Sequence, residues 1–357
     1  MNPRERVLNA LTWRPVDEIP WIVKSGHLPR GEWERELRNM GMGISVPVSV
    51  LRKRVEGLIV EQKVCGDYMV RTYTTPVGSV SEKIRVNLPS EAGERSSQWK
   101  VEYMVKSEED YRVVEYILEN TRFDENFRDA ARIDRELGGD GVTYTGVGYT
   151  PLMRLIIGYL GFRKFSVEIV RNPGRIERML ELIDEKVTEA CRIAARSPVK
   201  IVLLGDNIDE GLIGRRLFEK YCVPYYQKYS EILRSHGKIV GSHMDGRLKG
   251  LVDLIIESGL DFIDGFTPPP GGNLPVSEAR KKWRGRVAMW INVPEAIFYK
   301  PPQLIEEYIA GLIKEAYPGD GMVFGITETV PPDRRELGYR AVLNAIKKYG
   351  RGVNPSS

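Results

Sequence analysis

The sequence predicts an α/β protein, a (β/α)8 TIM barrel with an N-terminal antiparallel β insertion and a single domain over residues 1–357. Three observations carry that prediction. From about residue 139 onward, short apolar runs alternate with longer stretches of helical periodicity, the pattern of repeated βα units. Each apolar run ends in a loop with polar side chains, and a parallel barrel gathers all such ends on one face. No GxGxxG follows a strand-like run, and neither GxxxxGKS nor GxxxxGKT occurs, so an open doubly wound sheet lacks its nucleotide-binding signatures here.

The elements follow in order. Asn2 before Pro3 supplies an N-cap and a first-turn proline, and Val7, Leu8 and Leu11 form the inner stripe of a short helix. IPWIV, residues 19–23, reads as the first strand, with Lys24, His27 and Arg30 in its exit loop. Residues 68–86 mix β-branched side chains with a Pro-Val-Gly turn, and 99–105 adds a further strand, so an antiparallel insertion is expected at about 60–105. SEED, residues 107–110, resembles a capping box opening a helix to about Asn120. Strands are then expected at 141–147, 199–204, 238–242, 261–266, 286–291 and 322–326. Helices are expected at 164–170, 173–196, 214–236, 248–258, 302–316 and 334–349. Gly259 is placed as the C′ residue of the fourth helix.

Composition narrows the function classes. With 42% hydrophobic and 29% charged residues the chain can bury a large core. Its 53 basic and 49 acidic side chains are interspersed and leave a net charge of +4, which argues against a polyanion binder. MNPRERVLNALTWR has no apolar core of signal-peptide length and no apolar run spans a bilayer, so a cytoplasmic location is expected. Cys65, Cys191 and Cys222 are widely spaced and suggest neither a disulfide framework nor a thiolate zinc cluster. Cys222 reads as helix packing.

The strand-end loops hold the candidate chemistry: Asp206, Asn207, Asp209 and Glu210; His243 and Asp245; Thr267; Asn292; Thr327 and Glu328. His243 and Asp245 lie two apart, so in an extended segment they project to the same side. Such a pair can bind a metal, act as an acid/base pair or hydrogen-bond internally. The structural alternative has Asp245 capping the next helix and His243 satisfied in a polar layer. GFTPPPGGN, residues 265–273, is either a strand-stopping loop or a stiff wall with Phe266 as an aromatic surface. Trp290 reads as core, Asn292 as able to reach the site, and His236 as a helix-end residue favourable to the dipole.

Three stretches carry a family resemblance: NPRERVLNAL, LGDNIDEGLIGRRLFEKYCVPYYQKYSEILRSHG and KIVGSHMDGRLKGLVDLIIESG. Together they resemble the uroporphyrinogen decarboxylase superfamily, which includes the cobamide-dependent methyltransferases. The resemblance runs from about residue 2 to about 350, is strongest from Val199 onward and weakest near 45–100. It implies a (β/α)8 barrel with its site at the strand C-termini. The decarboxylases carry an arginine-rich segment after the first strand that binds the acidic side chains of the porphyrinogen. Here VKSGHLPRGEW matches at Gly26, places His27 where the arginine stands and leaves Lys24 and Arg30 as substitutes.

In the methyltransferase branch, the resemblance maps a His-x-Cys element and a later cysteine, the metal ligands, onto His243, Asp245 and Glu328. Both thiolates are replaced by carboxylates, so the site either keeps a nitrogen and oxygen ligand set acceptable to zinc or has lost the metal. The expectation is a corrinoid-dependent methyltransferase moving methyl between a small donor, such as a methoxylated aromatic, and a corrinoid protein. Zinc held by His243, Asp245 and Glu328 would stabilise the leaving oxygen. Asp206, Asp209 or Glu210 would add a ligand, orient the histidine or move a proton. Alternatives are a decarboxylase with Asp206 holding the pyrrole nitrogens, a methylcorrinoid:tetrahydrofolate-type methyltransferase and a noncatalytic corrinoid-binding module. No nucleic-acid or membrane partner is expected, and a homo-oligomer is compatible with the sequence.

Overall fold

The computed structural model describes residues 1–28, 30–88 and 97–353. Eight parallel strands form its centre: β1 (Ile22–Lys24), β2 (Gly43–Pro47), β3 (Gly141–Gly148), β4 (Ile201–Leu204), β5 (Ile239–His243), β6 (Phe262–Phe266), β7 (Ala288–Asn292) and β8 (Met322–Gly325). Each pairs in parallel with the next. A parallel bridge between Trp21 and Phe324, with the Phe324 N–H donating to the Pro20 carbonyl at 2.9 Å, joins β8 back to β1 and closes the barrel. Closure leaves no open edge. Helices cover the outer face, so strands are apolar on both sides: all five residues of β6 and of β7 are buried.

The six strands expected after residue 139 are all present, within two residues at either end. Pro173–Arg196 forms as expected, burying Ile176, Met179, Leu180, Ile183 and Val187 along one stripe. The single helix expected over 214–236 is two, Glu210–Tyr221 and Val223–Arg234, broken at Cys222. Pro224 has no N–H to continue the ladder and its ring disfavours helical backbone at the residue before it. Cys222 is fully buried packing, as expected. Residues 248–258 begin as a 3₁₀ turn before Val252–Glu257, and Gly259 takes the left-handed C′ position at φ 75°. β2, whose GISVP is short and ends in proline, gave no strand signal in the sequence.

The antiparallel insertion is a four-stranded meander, Ile59–Cys65, Tyr68–Thr75, Gly78–Leu88 and Ser97–Glu102. It packs against the helix Asp110–Glu119. The expected capping box there forms by half: the Asp110 carboxylate accepts the Ser107 N–H at 2.7 Å, but no side chain caps the helix from its N-cap position. At the N-terminus the capping box is complete, with the Asn2 side chain accepting from the Glu5 N–H and Glu5 answering to the Asn2 N–H. Beside the meander, Leu51–Val55 pairs antiparallel with Thr121–Glu125, forming a shelf next to the end of β3. Among the described residues no helix is long and apolar enough to cross a membrane.

Candidate functional site

β5 delivers His243 to the mouth of the barrel, and β6 delivers Asp264 directly beside it in register. His243 Nδ1 lies 2.7 Å from Asp264 Oδ2, and Nε2 lies 3.5 Å from Asp245 Oδ2. Burial alone would lower the His243 pKa. Hydrogen bonds and charge from Asp245 and Asp264 overcome it and raise the value to about 9. At neutral pH the ring is therefore an imidazolium, with Nδ1 donating to Asp264 and Nε2 in charge contact with Asp245. Burial works in the opposite sense on Asp245, but the His243 cation prevails and its carboxyl lies below the ordinary range. The expectation that His243 and Asp245 share a side holds, and Asp245 caps no helix: Asn273 Oδ1 accepts the Leu248 and Lys249 N–H groups instead.

Room for the imidazole comes from Gly265. Its φ is +76°, and a Cβ there would lie 2.6 Å from His243 Cε1. The β6/β7 register shifts between Asp264 and Phe266, a bulge that re-aims the strand at this point. Phe266 turns the other way and is fully buried, edge-on to Trp283 at 5.5 Å, so it offers no aromatic surface to the mouth.

A cavity of about 390 Å³ opens above this pair, lined among others by Lys24, Tyr144, Tyr149, Asn207, His243 and Asp264. Burial, and then Asp264, push the Tyr144 hydroxyl up to about 12, so it is a neutral donor. Asn207 holds a left-handed backbone at φ 50°, which asparagine tolerates better than most residues.

The remaining expected site residues do not line this cavity. Asp206 is fully buried; Oδ1 accepts the Thr150 N–H and Oδ2 the Tyr226 O–H, each at 2.6 Å. Burial outweighs those bonds and raises its pKa to about 6. Asp209 caps the helix Glu210–Tyr221 through the Gly211 N–H and is clamped by Arg247, which with that cap lowers it to about 2. Glu210 accepts from Asn273 Nδ2 at 2.7 Å and from the Gly250 N–H, tying two loops together. Asn292 donates to Thr267 Oγ1 at 3.1 Å and accepts the Thr327 N–H at 3.0 Å, linking the exits of β6, β7 and β8. In this arrangement the four side chains tie the loops around the mouth together.

The metal triad meets the same test. Both ring nitrogens of His243 face carboxylates, and Glu328 Oε2 accepts the Glu295 N–H at 3.1 Å. Among the described residues no group of three or more His, Cys, Asp or Glu side chains gathers so as to hold a metal ion. Glu328 is thus not gathered with His243 and Asp245 into a zinc ligand set. Sequence reasoning missed Asp264, Tyr144 and Tyr149. The signal for Asp264 was an Asp-Gly pair inside an otherwise apolar run, DFIDGF.

The family model for uroporphyrinogen decarboxylase (URO-D) matches residues 97–349. A uroporphyrinogen decarboxylase of Idiomarina loihiensis is 22% identical over 374 aligned residues, covering 97% of this chain and 96% of that protein. One of Escherichia coli is 23% identical over 234 residues, 61% of this chain and 63% of the other. Among solved structures, a methyltransferase from Methanosarcina mazei superposes with a TM-score of 0.60 at 12% identity. That match covers 98% of this chain and 99% of that one.

Proposed function

The chain belongs to the uroporphyrinogen decarboxylase family, and from that premise we propose that it is a methyltransferase moving a methyl group between a small donor and a corrinoid carried by a partner protein. One observation carries the reading: a histidine held as a cation at the barrel mouth by a buried aspartate, with its second nitrogen turned toward Asp245. Breaking a bond between methyl and oxygen or nitrogen leaves an electron pair on the heteroatom, and the step is eased by a proton supplied there. His243 Nε2 is the proton source. Asp264 fixes the ring through Nδ1 and stabilises the imidazolium before transfer, and Asp245 receives Nε2 between turnovers. Tyr144 and Lys24 orient the donor by hydrogen bonds. The corrinoid, when presented, supplies the nucleophile that takes the methyl group.

Two features favour methyl transfer over porphyrinogen decarboxylation. The carboxylate that the decarboxylase reading assigns to the pyrrole nitrogens, Asp206, is enclosed behind Thr150 and Tyr226. Among the described residues Lys24 is the one lysine or arginine in the wall of the mouth cavity, whereas a substrate with eight carboxylates calls for many fixed cations. The fold match over its full length with the Methanosarcina methyltransferase supports the same choice.

The test mixes the protein with chemically reduced cobalamin and a panel of methoxylated aromatics, following methyl transfer by the visible spectrum of the corrinoid. Transfer from at least one donor, lost in His243→Asn, is expected, with activity declining as pH rises through about 9. The reverse assay offers methylcobalamin and tetrahydrofolate. No transfer in either direction, together with release of carbon dioxide from uroporphyrinogen, would overturn the proposal.

A further inference from the structure

Beside the mouth lies a second cavity, of about 230 Å³, that shares Gly146, Gly148 and Tyr149 with the first. The two are contiguous along the end of β3. Three cations line it: Lys53 from the Leu51–Val55 shelf, Arg154 from the short helix after β3, and Lys186 from the helix Pro173–Arg196. Among the described residues no aspartate or glutamate lines it. Among the described residues Lys53 and Arg154 form no ion pair with any carboxylate, and Lys186 reaches Glu189 only at 4.0 Å. The Arg154 guanidinium rests over the Tyr159 ring, 5.5 Å from its centroid. Around the cations the walls are apolar: Leu118, Phe123, Ile183 and Val187.

Like charges brought together without a counter-charge cost free energy in the free protein, and an anion entering the pocket relieves it. Solvent reaches the Lys53 side chain, yet desolvation within the pocket and then the Arg154 charge lower its pKa to about 8. A strongly hydrated anion such as phosphate gains little from the apolar walls. An anion with an apolar body satisfies both halves of the pocket.

We infer that Lys53 and Arg154 form a carboxylate-binding subsite, which seats the anionic end of a small ring-bearing substrate whose other end reaches His243. The placement of that other end rests on the methyl-transfer reading. The carboxylate subsite itself does not.

The experiment measures binding by isothermal titration with the full chain alone, without corrinoid. Benzoate is the probe, benzamide its neutral counterpart and inorganic phosphate the competing anion. Benzoate is expected to bind at millimolar concentration and benzamide about tenfold more weakly, the loss of one charge-assisted contact. Lys53→Gln and Arg154→Gln should each weaken benzoate about tenfold, with Arg154→Lys recovering part of the loss, and His243→Asn should leave it unchanged. Equal binding of benzoate and benzamide, benzoate binding undiminished in both glutamine variants, or none up to about 10 mM would overturn the subsite. Phosphate binding tighter than benzoate would overturn the carboxylate assignment in favour of a phosphate site. Because His243→Asn and the corrinoid assay probe the reacting end separately, benzoate binding without methyl transfer refutes the methyltransferase reading alone.

Discussion

Replacing Asp264 with asparagine should return the His243 titration toward that of a buried, unassisted histidine. Two carboxylates hold the imidazolium in the parent, Asp264 at 2.7 Å and Asp245 at 3.5 Å, and burial opposes both. The rise from 6.5 to about 9 corresponds to roughly 3 kcal/mol of preference for the charged ring. Because the folded value lies above the unfolded one, that contribution to stability is complete below about pH 6.5 and is lost as pH rises through about 9. Asp264 is the closer and more enclosed partner, so its loss should lower the pKa by about 1 to 2 pH units, since Asp245 remains. The assay is a titration of the imidazole Cε1–H signals by NMR; with three histidines in the chain, His27→Asn and His236→Asn variants assign the third. A parent His243 titrating near 6.5, or an Asp264→Asn protein still titrating near 9, would refute the reasoning.

The other expectations concern residues around that pair. Gly265→Ala forces a Cβ against the His243 ring at a positive φ, and should cost about 1 to 3 kcal/mol of stability in denaturant titration and most of the methyl-transfer activity; parent-like values in both would show that the ring has slack. The Asp206 pKa of about 6 lies above its usual 3.8, so this group's contribution is present below about pH 3.8 and lost as pH rises through 6, a loss of roughly 3 kcal/mol. Asp206→Asn, which keeps an acceptor for the Thr150 N–H, should therefore flatten the fall of Tm between pH 4 and 6, and parallel curves for the two proteins would contradict that account. Asp209→Ala should lose about 1 kcal/mol with its helix cap and leave turnover intact. The Arg247 pair, more than half open to solvent on its basic side, adds little. A collapse of turnover in a folded Asp209→Ala protein would instead give Asp209 a catalytic role.

The barrel was legible because its signal is repeated. An apolar run of four or five residues is ambiguous alone, but six of them alternating with helical stretches and ending in polar loops leave few architectures. What escaped notice was local and unrepeated. GISVP carries one proline and one serine in five residues and was invisible as β2 until Gly43 and Ile44 paired with β1 and β3. The join at Cys222 was hidden because apolar periodicity runs straight through it, while the break comes from a missing N–H at Pro224.

The site was half legible for a different reason. Period two correctly put His243 and Asp245 on one side, because that relation is encoded within a single strand. Which other carboxylates meet the histidine depends on the stagger between strands, and a shift of one residue changes every facing side chain. Asp206, Asp209, Glu210 and Glu328 all sit at strand ends and all appear available in one dimension. In the fold all four accept from backbone N–H groups and neighbouring side chains: Thr150 and Tyr226 hold Asp206, Gly211 and Arg247 hold Asp209, Gly250 and Asn273 hold Glu210, and Glu295 holds Glu328. Asp264 was overlooked because an aspartate in the middle of DFIDGF reads as an interruption of core. The bulge at Gly265 turns that interruption into the residue that fixes the ring. A carboxylate inside an apolar strand must be paired or it costs several kcal/mol, and here the required partner is the one histidine that β5 carries to the mouth.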